Sequence, residues 1–441
     1  MMNGLIEKIP FLNKLLDRDM KEVVVNALLA FLLRVSSTGL MFLFNVLLSR
    51  LLGAEGVGQY YLALMVTTIA TLFGRLGMDT ALLRFVAEGA SSDDWASVKG
   101  AYRKTFLFVL LSSVAAGFAV FLAAPFLAAY VLGKPELTLP LRLMSFAVPP
   151  VSLLVLHAEG LKGLKRIGES LMVQFVALSA FSIIGLYFLG RTWGVSGAIS
   201  AYVAASLLAL ALGRFLWKRA VPHEPGATIF FETKKLMDSS MPLFWSFLMG
   251  VVVTWAPTFM LGIWGTSRDV GIFSMASRTS LLISLVLFSF NAIVAPKFAE
   301  FYKKNDIIAL GATLKSSARM MSLAALPIVL VFMLAPGFVM SLFGEDFKGG
   351  ETALRIMSLG QFVNVAAGSV GYMLIMTGNE KANRNNAVLM LFVNISLGII
   401  LIPFYGITGA AITTVVSIIA ANIGAVYLVY KHLSIKVWER A

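Results

Sequence analysis

The sequence predicts an all-α integral membrane protein of twelve transmembrane helices. They form two six-helix lobes related by a pseudo-two-fold axis along the membrane normal. Three observations carry this: an apolar composition, a series of bilayer-length apolar spans, and an internal repeat that halves the chain. Of 441 residues, 59% are hydrophobic and only 13% are charged, with a mean hydropathy of +0.85. A water-soluble chain of this length would need far more polar surface.

Residues 5–25 read as an amphipathic helix, with Leu5, Ile6, Ile9, Leu12, Leu15 and Leu16 opposing Lys8, Lys14 and Asp17. Residues 1–25 are thus expected to lie on the cytoplasmic membrane surface. They show no cleavable signal peptide: their charges are mixed, and a full-length apolar span follows. Residues 26–217 form the expected N-lobe, with spans over 26–48, 58–76, 105–131, 140–161, 170–190 and 196–217. Residues 241–430 form the C-lobe, with spans over 241–264, 270–295, 320–343, 353–377, 386–404 and 408–430. The stretch 218–240 is the longest polar connection and the natural lobe boundary. A cytoplasmic tail, 431–441, closes the chain.

Lys and Arg orient these spans. With a cytoplasmic N-terminus, 26 Lys/Arg fall on that side and 7 on the other, and Arg34, Arg75 and Arg278 fall within spans. A bias this large places both termini in the cytoplasm and the protein in the cell membrane. The net charge of +13 is therefore a topological signal, not one for nucleic acid, because its basic residues sit in short loops between spans.

The halves repeat. Leu141-Arg142-Leu143-Met144-Ser145 returns as Leu354-Arg355-Ile356-Met357-Ser358. Gly194-Val195-Ser196-Gly197-Ala198 returns as Gly406-Ile407-Thr408-Gly409-Ala410. Arg84-Phe85-Val86-Ala87-Glu88 is echoed by Lys297-Phe298-Ala299-Glu300. All three echoes keep an offset of 212 or 213 residues. Six spans per repeat is an even number, so both lobes enter the membrane from the same side and enclose a cavity between them.

The stretch 52–88 shows where that cavity does its work. It opens with a Gly-rich turn, runs as an apolar helix, and breaks at Gly77 beside Arg75, Asp79 and Arg84. Such breaks persist where backbone lines a protein or water-filled cavity rather than lipid, which suggests a transporter. Arg34 lies about 12 Å into the first span at 1.5 Å per residue. Arg278 lies at a similar depth from the opposite face. An Arg at a helix centre costs about 2.5–3.5 kcal/mol on insertion scales, so keeping several needs a reason. A diphosphate supplies one, since guanidinium forks match its geometry. Pairing supplies another: Arg75 with Asp79 at i,i+4, or Arg84 with lipid phosphates. Asp79 and Glu159 are the candidate proton- or sodium-coupling groups, although Glu159 also stands i,i+3 from Lys162. His157 and Glu159 point about 200° apart on one helix.

Several classes are excluded. Zero cysteines and scattered histidines (His157, His223, His432) offer no metal site and no thiol nucleophile. No phosphate-binding loop of a nucleotide hydrolase appears, so no cofactor is expected. Energy would come from an H+ or Na+ gradient, consumption of product, or the membrane potential, which yields about 4.6 kcal/mol for two negative charges at 100 mV. Every outer loop is about ten residues or fewer, which argues against a membrane glycosyltransferase or polymerase.

The phrases LLSRLLGAEGVGQYYLAL, GRLGMDTALLRFVAE, VGIFSMASRTSLLISLVLFSFNAIVAPKFAE, LAPGFVMSLFGEDF and IPFYGITGAAITT resemble the polysaccharide-transport (Wzx-type, O-antigen flippase) branch of the multidrug/oligosaccharidyl-lipid/polysaccharide (MOP) exporter superfamily. The resemblance runs across nearly the whole chain. It implies a V-shaped, alternating-access cavity and a polyprenyl-diphosphate-linked oligosaccharide as cargo. It also implies membrane lipids, a polysaccharide polymerase and glycosyltransferases as partners. The same superfamily holds lipid II flippases and MATE drug exporters. A drug exporter of organic cations would place acids in its lobes, whereas Arg34, Arg75, Arg278 and Arg84 make an anion path here. The orientation predicts that a cysteine placed at Ser267 labels only from outside intact cells. Labelling solely from the cytoplasmic side would overturn it.

Overall fold

The computed structural model describes residues 18–222 and 233–436. Residues 5–17 of the expected surface helix, residues 223–232 of the connection and the tail from 437 lie outside them. The inner and outer ends of the bundle are named by the orientation that the charge count predicts.

The N-lobe comprises α1 (Arg18–Arg75), α2 (Met78–Ser91), α3 (Trp95–Phe126), α4 (Thr138–Ser145), α5 (Val148–Gly163), α6 (Ile167–Leu171), α7 (Leu178–Gly185) and α8 (Arg191–Ala220). The C-lobe comprises α9 (Thr233–Trp264), α10 (Ser267–Ser280), α11 (Ser284–Lys303), α12 (Ile307–Leu334), α13 (Pro336–Ser341), α14 (Glu351–Ala366), α15 (Val370–Met376) and α16 (Glu380–Leu433). Among the described residues, seven helical stretches are long and apolar enough to cross a membrane. Two helix pairs bent by 43° (α4 with α5) and 42° (α10 with α11) bring this to nine.

Three of the nine are double. Leu32–Arg75 has 44 residues, and Ile167–Ala220 and Glu380–Leu433 have 54 each, against about 20 for one crossing. Each folds back at a single glycine: Gly53 (φ 64°), Gly194 (φ 55°) and Gly406 (φ 50°). The reversal shows in contacts across each glycine: a Cβ added at Gly185 would fall 2.9 Å from that of Ala201, across Gly194. The Tyr61 hydroxyl donates to Asn45 Oδ1 at 2.5 Å, and Asn386 Nδ2 donates to the Ala421 carbonyl at 2.7 Å. Counting each double helix as two spans gives the expected twelve. Where the sequence suggests a Gly-rich turn near residue 52, only Gly53 leaves the helix.

The repeat is visible in the backbone. Gly194 (φ 55°, ψ −129°) and Gly406 (φ 50°, ψ −124°) adopt one conformation at equivalent places. Asp94 and Asp306 cap equivalent helices, accepting from the Ser97 and Ala309 amides at 2.9 Å each. Asp93 and Asn305, the residues before those caps, are both left-handed (φ 54° and 55°). The lobes differ at the break in the second and eighth spans. The second span breaks at Leu76 (φ 49°) and Gly77 (φ 74°), at its inner end, whereas the eighth breaks at Leu281–Ile283, deeper in the bundle. Gly77 is required for contact as well as for φ, since an added Cβ would fall 2.4 Å from the Ser240 carbonyl oxygen.

The lobes meet backbone to backbone at their outer ends. A Cβ on Gly58 would fall 1.7 Å from the Ser267 carbonyl oxygen, and one on Gly271 1.9 Å from that of Ala54. Small residues permit this approach, as they do wherever helices pack closely in a membrane. Arg50 Nε donates to the Leu342 carbonyl at 2.9 Å, and Phe42 meets Phe343 edge-on at 5.6 Å. Ser267 is buried in this contact. The accessible labelling position on that face is therefore Lys348, whose side chain is half exposed.

Candidate functional site: a cation-bearing seam between the lobes

Arg34 and Arg278 stand on opposite sides of the seam. Arg34, on α1, lies over the Phe175 ring of its own lobe (4.6 Å to the centroid) and within 5.7 Å of the Phe288 ring of the C-lobe. Arg278, in the last turn of α10, lies over Tyr61 of the N-lobe at 4.1 Å and near Trp255 at 5.8 Å. The bond from Tyr61 to Asn45 fixes the ring under Arg278. The C-terminal end of α10 adds its partial negative charge there. Neither arginine forms an ion pair with a carboxylate among the described residues. A desolvated cation–π contact offers about 2 kcal/mol, which offsets part of the burial cost and leaves the guanidinium hydrogen-bond donors free for an oxyanion.

Their separation follows from helix geometry. Phe288, beside Arg34, is ten residues beyond Arg278 on the eighth span. Asn45, level with Arg278 through Tyr61, is eleven residues beyond Arg34 on the first. At 1.5 Å per residue the first span gives about 16 Å, and the eighth, bent by 42° between the two positions, gives at most about 15 Å. Arg34 is the inner station and Arg278 the outer.

The other expected residues divide. Arg75 Nη1 pairs with Asp79 Oδ2 at 2.7 Å, and Asp79 is buried beside the Gly77 break, where Gly77 abuts the start of α9. Arg84 is two-thirds exposed and pairs with Glu88 at 2.8 Å on the surface, away from the seam. Glu159 pairs with Lys162. His157 is fully buried, bonded through Nδ1 to the Leu153 carbonyl (2.7 Å) and through Nε2 to the Tyr102 hydroxyl (2.9 Å). With both ring nitrogens hydrogen-bonded it is part of the N-lobe core and does not face the seam. Of the tryptophans of α9, Trp255 shares the Arg278 site, and Trp245 is exposed beside Phe244.

Sequence reasoning missed Lys134. It follows the third span and is buried, with Nζ donating to the carbonyls of Gly265 (2.9 Å), Gly262 and Leu132. Gly262 and Gly265 end α9, so an N-lobe ammonium caps the negative end of a C-lobe helix. Burial lowers its pKa, with Glu136 and Asp269 opposing the shift. A lone lysine in a short outer loop otherwise reads as solvated, and only the fold shows it buried.

The cores follow the same division. One apolar cluster near the outer end runs through both lobes, joining Leu48, Val57 and Tyr60 to Val270, Phe273 and Phe343. Toward the inner end the lobes have separate cores. One holds Met78, Leu82, Leu156 and Trp217, with Leu236 of α9 as its one C-lobe member. The other holds Phe298, Leu310, Met373 and Val429.

A two-lobed helical bundle closed at one end over a cation-bearing seam is the architecture of a MOP-type membrane transporter. The chain belongs to the polysaccharide biosynthesis protein family, whose model matches residues 23–302. It is similar to the probable low-salt glycan biosynthesis flippase Agl15 of Haloferax volcanii, 21% identical over 92% of this chain and 83% of that one. Among solved structures it resembles the lipid II flippase MurJ in an inward closed conformation (TM-score 0.73, 16% identity, 90% of this chain and 87% of that one). It also resembles an inward-facing MATE family multidrug transporter (TM-score 0.72, 16% identity, 92% and 96%).

Lys134→Met removes the ammonium and keeps most of the apolar stem, so the outer seam should loosen while each lobe stays folded. Spin labels at Glu136 and Lys348, exposed and on opposite lobes, should report a longer or broader distance distribution in the variant. An unchanged distribution would show that the glycine contacts hold the seam alone.

Proposed function

We propose that this protein is a non-enzymatic flippase. It moves a polyprenyl-diphosphate-linked oligosaccharide from the cytoplasmic to the outer leaflet of the cell membrane by alternating access, with both termini in the cytoplasm. The observation that carries this reading is the pair Arg34 and Arg278, which bear no carboxylate and reach across the seam from opposite lobes. The family and the flippase relative support the cargo class.

In this reading the diphosphate meets Arg34 at the inner opening and Arg278 about 15 Å further on, at helical rise. The sugar occupies the wet cavity and the lipid tail stays in the bilayer. Trp255 offers an aromatic face for a sugar ring beside Arg278. Alanine at Arg34 or Arg278 should lower export of the lipid-linked sugar about tenfold or more, since a charge-assisted hydrogen bond is worth about 1.5–3 kcal/mol. Lysine, which keeps the charge and loses the fork, should retain partial activity. Wild-type export by well-expressed alanine variants at both positions would sink the mechanism.

Coupling is assigned to Asp79. Its protonation would release Arg75 at the point where the Gly77 break meets α9, biasing the two openings. Asp79→Asn should cut transport and abolish its dependence on the proton or sodium gradient while the protein still inserts and folds. Unchanged ion dependence would move the coupling role to Glu159.

A further inference from the structure

Each lobe has a cleft at its inner end, and the two clefts are related by the repeat. The N-lobe cleft, 360 Å3, lies between Leu33 and the stretch from Lys165 to Met172. The C-lobe cleft, 520 Å3, lies between α9 and the start of α16. At the offset of 213, Leu33 corresponds to Ser246 and Ile167 to Glu380, and both of these line the second cleft.

The repeat has not kept them alike. In the N-lobe cleft Arg166 pairs with Glu169 at 3.3 Å, and Lys165 stands beside them. Arg34, next to Leu33, rests on Phe175 close by. In the C-lobe cleft Lys381 and Arg384 are exposed and form no ion pair among the described residues. Beyond them the lining becomes apolar, with Ala387 and Met390 on α16 and Met249 and Val253 on α9. From Lys381 to Met390 is about 13 Å of helix. Between Met249 and Val253, Gly250 leaves open space where a side chain would stand.

A groove with two exposed cations and a single carboxylate, Glu380, at its mouth, and thioether and aliphatic side chains deeper in, suits one kind of molecule. It is an anionic headgroup on a long apolar tail, held by charge at one end and by adaptable methionine surface at the other. We propose that the α9–α16 groove is the loading station for the carrier lipid. The diphosphate sits on Lys381 and Arg384, and the first isoprene units lie along Met249, Val253 and Met390. This rests on the flippase reading and adds to it an entry point on the C-lobe, apart from the seam.

The test is binding to the purified full-length protein in zwitterionic nanodiscs, followed by tryptophan fluorescence and native mass spectrometry. The probes are undecaprenyl diphosphate, undecaprenol, inorganic pyrophosphate and phosphatidylglycerol. The double variant Lys381→Gln/Arg384→Gln should bind undecaprenyl diphosphate about tenfold more weakly, consistent with loss of charge-assisted bonds. Gly250→Leu, whose Cβ would meet no heavy atom within 4 Å, places a branched side chain in the groove and should weaken the diphosphate lipid but leave pyrophosphate binding unchanged. Both variants should melt like the wild type, because the altered positions are exposed. Full-strength binding by both variants, with binding lost instead in Arg34→Ala, overturns the groove and leaves the flippase reading standing. Equal binding of phosphatidylglycerol also overturns it, making the groove a general lipid contact. Failure of the wild type to bind undecaprenyl diphosphate at all would remove the flippase reading, and this inference with it.

Discussion

The contact between Gly58 and Ser267, with its partner between Gly271 and Ala54, is the constraint on which the rest of the molecule depends. Backbone meets backbone there with no room for a side chain. The first and second spans of the N-lobe are thereby tied to the start of the eighth in the C-lobe. A single apolar core can form across the lobes around that point, and it does. Away from it the lobes have their own cores. Two bodies that share a core at one end and not at the other have a defined way to move, by rocking about the shared end or by breaking it. Lys134 belongs to the second of these. Its burial is costly, and three carbonyls offset the cost only while the ends stay together.

Much of the architecture was legible in the sequence because bilayer physics is severe. Spans must be apolar and about 20 residues long, and Lys and Arg must gather on one side. A repeat of this length also announces itself through glycine: Gly194 and Gly406 recur because the same positive-φ reversal recurs. The Gly77 break was legible for a like reason, since glycine beside charge inside an apolar run has few other uses. What could not be read was partnership across the repeat. The eighth span's bend at Leu281–Ile283 has no glycine or proline to mark it, so it arises from tertiary packing alone.

The candidate site was legible as a set of residue types and not as a set of contacts. Embedded arginines stand out in any apolar span, and Arg34 and Arg278 do both stand at the seam. Arg84 looked similar on paper and lies on the surface with Glu88, because it stands on a face of α2 away from Ala81, Leu82 and Phe85, which pack into the N-lobe core. Lys134, Lys381 and Arg384 entered the sequence reading only as counts for topology. Loop lysines look alike until the fold shows which one is capped by carbonyls and which face an open groove.

Charge balance ties these parts together. A flippase must give its cargo's phosphates a place that is better than water but not so good that they stay. Two arginines about 15 Å apart along the helix rise satisfy this where one strong cluster would not. Each offers a fork of donors, and each is held by aromatic rings in place of a carboxylate, so no salt bridge has to break when the anion arrives. Cation–π support costs little to share, because the ring faces remain when the anion binds above them. In the proposed path the anion would then pass from the inner arginine to the outer one without a deep well at either. The membrane potential adds a pull in the same direction, about 2.3 kcal/mol per charge at 100 mV. The one firmly paired embedded arginine, Arg75, is the exception that fits. Its acid, Asp79, lies where the second span breaks against α9, so this buried ion pair sits at the joint.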